Sequence, residues 1–186
     1  MDEIIEKPPP GNPASSQDAR NRTGEFPYER VEEEMTIAID EQVDALRALL
    51  VARADVSWEQ LADLNHDELD DGHEVVISAA FYELVRRRFF KDGEPAGDAE
   101  IIDFVAEARA RTTDAAERID PEVAEIAINS VLGKLPLDAY DHVDDNVGFR
   151  AKSLLVAIMV GDEDFSKAEL DAFLTKVREL AEESPR

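Results

Sequence analysis

Cysteine is absent from this chain of 186 residues. That excludes a disulfide scaffold, thiolate metal sites and cysteine nucleophiles, and it is compatible with a reducing cytoplasm. Aromatic residues are scarce, at 6%. Strands draw on aromatic and β-branched side chains, so a β-sandwich or barrel is disfavoured. Long apolar runs are missing too. The longest, Leu154 to Val160, has seven residues, against the ~20 that a membrane-spanning helix needs. The opening MDEIIEKPPPG is acidic, holds no apolar stretch and breaks into prolines, so no signal peptide is expected.

Basic residues are the minority. Lys and Arg number 20 against 44 Asp and Glu, for a net charge of −24 at pH 7. Nucleic-acid backbones require clustered Lys and Arg, so direct binding to them is excluded. Anionic membrane surfaces are disfavoured for the same reason. The same charge favours solubility and basic partners. Arg outnumbers Lys 14 to 6. With the acid excess, that fits a GC-rich or high-salt host, and a microbial source is expected.

What is present is helix-forming. Hydrophobic residues make up 44%, and 25 residues are Ala, the best helix former. Residues 1–28 hold five of the nine prolines and are predicted to be a disordered Pro-rich tail. That tail has five acidic and three basic residues, so about −22 of the charge belongs to the body, residues 29–183. The body is predicted to be an all-α domain, a compact bundle of about six or seven helices.

Apolar spacing places helices over about 31–54, 74–90 and 146–160, with others opening at Asp98, at Asp120-Pro121-Glu122 and at the Ser166/Glu169 capping box. Ser57 with Gln60 opens a short helix bearing Trp58. Gly72, Gly93, Gly97, Gly133, Gly148 and Gly161 are expected between helices. Leu154–Val160 reads either as the buried heart of a helix or as a buried strand.

No glycine-rich phosphate loop and no G-x-S-x-G occurs, so nucleotide binding by those loops and a serine hydrolase of that type are not expected. Asp63/His66 and Asp70/His73 have metal-chelating spacing, but read better as connector residues. Glu122, Glu125, Asp141 and Asp144 form two acid-x-x-acid pairs. Four such carboxylates on two helices hold Mg²⁺ in all-α nucleoside triphosphate pyrophosphohydrolases, which the pattern weakly resembles. At this composition about ten such spacings arise by chance, so the pattern says little.

Arg86-Arg87-Arg88 reads as a helix C-terminus, where the macrodipole favours cations. Phe89 and Phe90 follow. Adjacent helical residues diverge by about 100°, so one of the two is expected at the surface and at an interface. Tyr140 stands among Asp138, Asp141, Asp144 and Asp145. An aromatic ringed by acids suits a cationic side chain.

These observations predict a non-enzymatic, cytoplasmic, acidic interaction or adaptor protein with no cofactor. Its partner would be a basic protein surface or a second copy of itself, met through Phe89, Phe90, Tyr140, Asp138, Asp141, Asp144 and Asp145. Two alternatives stand beside it. One is the Mg²⁺-dependent pyrophosphohydrolase; the other is a nucleic-acid mimic that inhibits a DNA-binding protein.

Overall fold

The computed structural model describes residues 39–48, 50–51, 71–111 and 113–184. Among the described residues, seven α-helices build an all-α bundle. In chain order they are α1 (39–48 and 50–51), α2 (Asp71–Phe89), α3 (Asp98–Ala110), α4 (Thr113–Arg118), α5 (Pro121–Val131), α6 (Asp145–Glu163) and α7 (Lys167–Glu183). A two-residue hairpin, β1 (Phe90–Lys91) and β2 (Glu94–Pro95), joins α2 to α3. A 3₁₀ turn, Leu137–Tyr140, joins α5 to α6. The predicted tail over 1–28, the Ser57 helix start, Trp58, Asp63, His66 and Asp70 lie outside the described residues.

The helix starts obey local chemistry. Asp120 accepts hydrogen bonds from the backbone N–H groups of Glu122 (3.0 Å) and Val123 (3.1 Å), with Pro121 at the first helical position. Asp144 opens α6 by accepting from Val147 N–H at 3.1 Å. Ser166 and Glu169 form the expected reciprocal capping box on α7. Asp98 departs from expectation. Gly97 is the N-cap of α3 without any side-chain bond, and Asp98 instead pairs with Lys134, whose ammonium also donates to Ala96 O at 2.9 Å.

Leu154–Val160 is helical, and every residue from Ser153 to Val160 is buried. The choice between helix and strand is settled by length, since these residues form the middle of a 19-residue helix. Ser153 is compatible with this dry setting because its hydroxyl donates to Phe149 O at 2.9 Å. Helix α6 packs against α2 and α5, and α2 also packs on α7. Three expected breaks are not breaks: Gly72 lies in the first turn of α2, and Gly148 and Gly161 lie within α6. A helix tolerates glycine at a propensity cost of about 1 kcal/mol, and at Gly148 a close approach requires it (below).

The hairpin went unforeseen. Asp92 (φ 55°) and Gly93 (φ 87°) both adopt left-handed backbone, as a two-residue turn of the type that suits twisted hairpins requires. The hairpin closes over the end of α2 through Ala96 N–H to Phe89 O at 2.7 Å.

Candidate functional site

The hairpin decides the fate of the Phe pair. Phe89 is 1% exposed and meets Phe104 edge-on, with ring centroids 5.3 Å apart. It is a core residue and offers nothing to a partner. Phe90 is half-buried, and the Arg86 guanidinium lies 4.0 Å from its ring centroid. The expected exposed aromatic therefore has a cation already over its face.

The neighbouring arginines are also engaged. Arg87 sits over Phe165 and 3.5 Å from Glu83. Arg88 lies over Phe104 at 4.4 Å and pairs with Asp162 at 3.0 Å. Arg111 reaches the same carboxylate with bonds of 2.7 and 2.8 Å. The three arginines lie in the last turn of α2, as expected, and Arg88 fastens α2 to α6 and to α3.

The acidic turn is built from the end of α5. Pro136 fixes the approach, and Ala139 N–H donates to Pro136 O at 3.1 Å. Asp141 N–H then bonds Asp138 O at 3.1 Å, and Val143 N–H bonds Tyr140 O at 3.0 Å. This leaves Asp138, Asp141, Asp144 and Asp145 exposed around one turn. Asp144 is engaged as the α6 cap, while Asp138, Asp141 and Asp145 face solvent.

Tyr140 points the other way, into the bundle. Its hydroxyl abuts Gly148, and a Cβ at that position would lie 3.1 and 3.2 Å from Cζ and Cε1 of the ring. Lys152 Nζ stands 5.0 Å from the ring centroid. The aromatic face expected to receive a partner's cation is therefore occupied by one from α6. Burial, then Asp145 and Glu74, push the Tyr140 hydroxyl up to about 12. Burial pulls the Lys152 ammonium below the usual lysine range, against the opposing pull of Glu74 and Asp145. Tyr140 acts as the anchor of the acidic turn.

The four carboxylates of the metal reading do not converge. Among the described residues, no group of three or more His, Asp and Glu side chains is placed to hold a metal ion. Asp144 is committed to Val147 N–H, and Glu122 is exposed in the first turn of α5. His73 lies on α2, and its candidate partner Asp70 is outside the described residues. Its Nδ1 lies 3.0 Å from Gln42 Oε1, and its ring tilts against Phe149 with centroids 5.8 Å apart.

Sequence reasoning missed a second feature. Val75, Ser78, Ala79 and Tyr82 form a strip on α2 away from its fully buried face of Val76, Ile77, Ala80, Phe81, Leu84 and Val85. Tyr82 is 40% exposed. A hollow of about 370 Å³ lies toward α7, with Leu180 and Glu183 in its wall. Another of about 210 Å³ lies toward α5 and α6, lined by Ala127, Ser130, Val131, Tyr140 and Lys152. Ser78 and Tyr82 belong to both walls. The sequence signal was an apolar second stripe at i, i+4 and i+7 beside a helix face already full.

Compared with known proteins, the chain matches no family model, no curated protein and no solved structure. Among the described residues, no helix is long and apolar enough to cross a membrane.

Proposed function

We propose that this is a non-catalytic, acidic helical interaction protein of a microbial cytoplasm, which captures a basic surface of a protein partner on the turn around Asp138, Asp141 and Asp145. The observation that carries this reading is the construction of that turn. Tyr140 is anchored inward on Gly148 and Lys152, so exposed carboxylates are held outward on the 3₁₀ turn (Asp138), at its C-cap (Asp141) and at the start of α6 (Asp145). Preorganised charges lose less freedom on binding. The body's surplus of about −22 adds long-range steering of a basic partner.

The test is co-purification from the native host, followed by binding measured across ionic strength. The expected result is a specific basic partner whose association rate falls as salt rises. Reversing Asp138, Asp141 and Asp145 together to Lys should slow association by about tenfold or more at low salt. A partner retained equally by the reversed chain, or binding indifferent to salt, refutes the site. The pyrophosphohydrolase alternative has no supporting constellation among the described residues.

A further inference from the structure

The strip on α2 has a polarity that the acidic turn does not explain. Its two hollows share Ser78 and Tyr82 as a common ridge. The hollow toward α7 carries a carboxylate, Glu183, which is exposed. The hollow toward α6 carries an ammonium, Lys152. An anion and a cation thus lie on opposite sides of one exposed tyrosine. A half-turn about an axis through that ridge exchanges the two sides. Such a patch is complementary to itself, which is the condition for an isologous twofold contact.

We propose that a second copy of this chain docks on the α2 face about a twofold axis beside Tyr82, with Glu183 of each copy meeting Lys152 of the other. Each Tyr82 then leaves water for the partner copy's hollow, alongside the partly buried Val75 and Leu180. The contact also supplies what Lys152 lacks. No carboxylate lies within ion-pair distance of it among the described residues; its ammonium stands over the Tyr140 ring. Burial outweighs the pull of Glu74 and Asp145 on its ammonium, so its charge is under-compensated in the single chain. A carboxylate delivered to a partly desolvated cation is worth more than one at an open surface.

The body charge acts against this contact at long range, because two chains of −24 repel. Repulsion between distant charges is screened by salt, while a close, partly buried pair is screened much less. Self-association should therefore strengthen as salt rises, the reverse of basic-partner capture. This inference goes beyond the proposed function and does not need it.

The decisive experiment uses the full chain and its lack of cysteine. A Tyr82→Cys variant places a single thiol beside the axis, and an Ile102→Cys variant places one on α3, where Ile102 is 49% exposed and lines neither hollow. Under mild oxidation, Tyr82→Cys should form a covalent dimer about tenfold faster than Ile102→Cys. In sedimentation, Glu183→Lys should weaken self-association of the otherwise native chain about tenfold. Mixing Glu183→Lys with Lys152→Glu should restore it as a heterodimer, since both cross-contacts become opposite in sign. If Lys152→Glu fails to fold by circular dichroism, the crosslinking and Glu183→Lys measurements still decide. A chain that stays monomeric at every salt concentration, equal crosslinking at 82 and 102, or an indifferent Glu183→Lys overturns the proposal. Reversal of Asp138 and Asp141 alone, with Asp145 left in place beside Lys152, should not weaken self-association, so the two readings can fail separately.

Discussion

The Tyr140 hydroxyl is buried and has no hydrogen-bond partner among the described residues. A buried, unsatisfied polar group costs about 1–3 kcal/mol. Tyr140 is only half-buried as a residue, so the lower end of that range applies, and Tyr140→Phe should stabilise the fold by about 1 kcal/mol. Gly148→Ala tests the same contact from the other side. Alanine gains about 1 kcal/mol of helix propensity. Against that, its Cβ meets the hydroxyl directly and approaches Cζ and Cε1 at 3.1 and 3.2 Å. Overpacking of this kind costs about 1–3 kcal/mol, so the net loss should be about 1 kcal/mol. With Phe at 140 the closest clash disappears. The double variant should therefore beat the sum of the singles by about 1 kcal/mol.

Urea unfolding followed by circular dichroism measures all four chains, with a common slope required for a fair comparison. The tyrosine also predicts a pH signature. Its folded value is raised from 10.0 to about 12, so its contribution is fully present below pH 10 and is lost as pH rises toward 12. Tyr140→Phe should lack that loss. The account is refuted if Tyr140→Phe destabilises by 1 kcal/mol or more, which would mean that the hydroxyl is satisfied. Strict additivity with Gly148→Ala would refute it too.

Two further predictions concern elements that position these surfaces. At Gly93 the backbone has φ 87° with open space where a Cβ would sit, so Gly93→Ala should cost about 1–2 kcal/mol through backbone strain alone, read as a lower urea midpoint with unchanged slope. Ser166→Ala should cost about 1 kcal/mol at neutral pH by removing the cap of α7. Hydrogen bonds from the Ser166 hydroxyl and backbone N–H hold the Glu169 carboxyl below its ordinary 4.5. That contribution is present above pH 4.5 and lost as pH falls through the lowered folded value. The gap between wild type and Ser166→Ala should narrow in acid, and a constant gap across the titration would refute the reciprocal box.

The helical architecture was legible because its signals are local. The capping box at Ser166/Glu169, the Asp120-Pro121 start and the apolar spacing of α6 depend on neighbours three or four residues away. The hairpin was equally local, since Asp92-Gly93 is a strong two-residue turn signal, but the strands it joins have two residues each and show no alternating pattern. The site was less legible because direction is a tertiary property. An aromatic among acids has the same sequence whether it faces solvent or, like Tyr140, turns onto a glycine of the next helix. Phe89 and Phe90 were separable only once the hairpin covered one of them. Tyr82 carried a readable second stripe, yet only the placement of α7 and α6 sets Glu183 and Lys152 on its two sides.

The cations sharpen what the net charge means. Arg47 pairs with Asp171, Arg178 with Asp40, Lys91 with Glu100, Lys134 with Asp98 and Lys176 with Glu179. Arg88 and Arg111 share Asp162. A cation held against a carboxylate projects almost no field beyond a Debye length, about 10 Å at 0.1 M salt. Among the described residues, several cations are thus engaged in fastening one element to another, while the acids outnumber them. The field of that acid excess selects what approaches from a distance. It cannot by itself select what stays, because at contact range the outcome depends on desolvated groups. Lys152 is the exception on the strip, with an aromatic face beneath it and, among the described residues, no carboxylate in ion-pair contact. Hence the acidic turn should govern association rates with basic partners, and the Tyr82 strip should govern lifetimes, each responding to salt with the opposite sign.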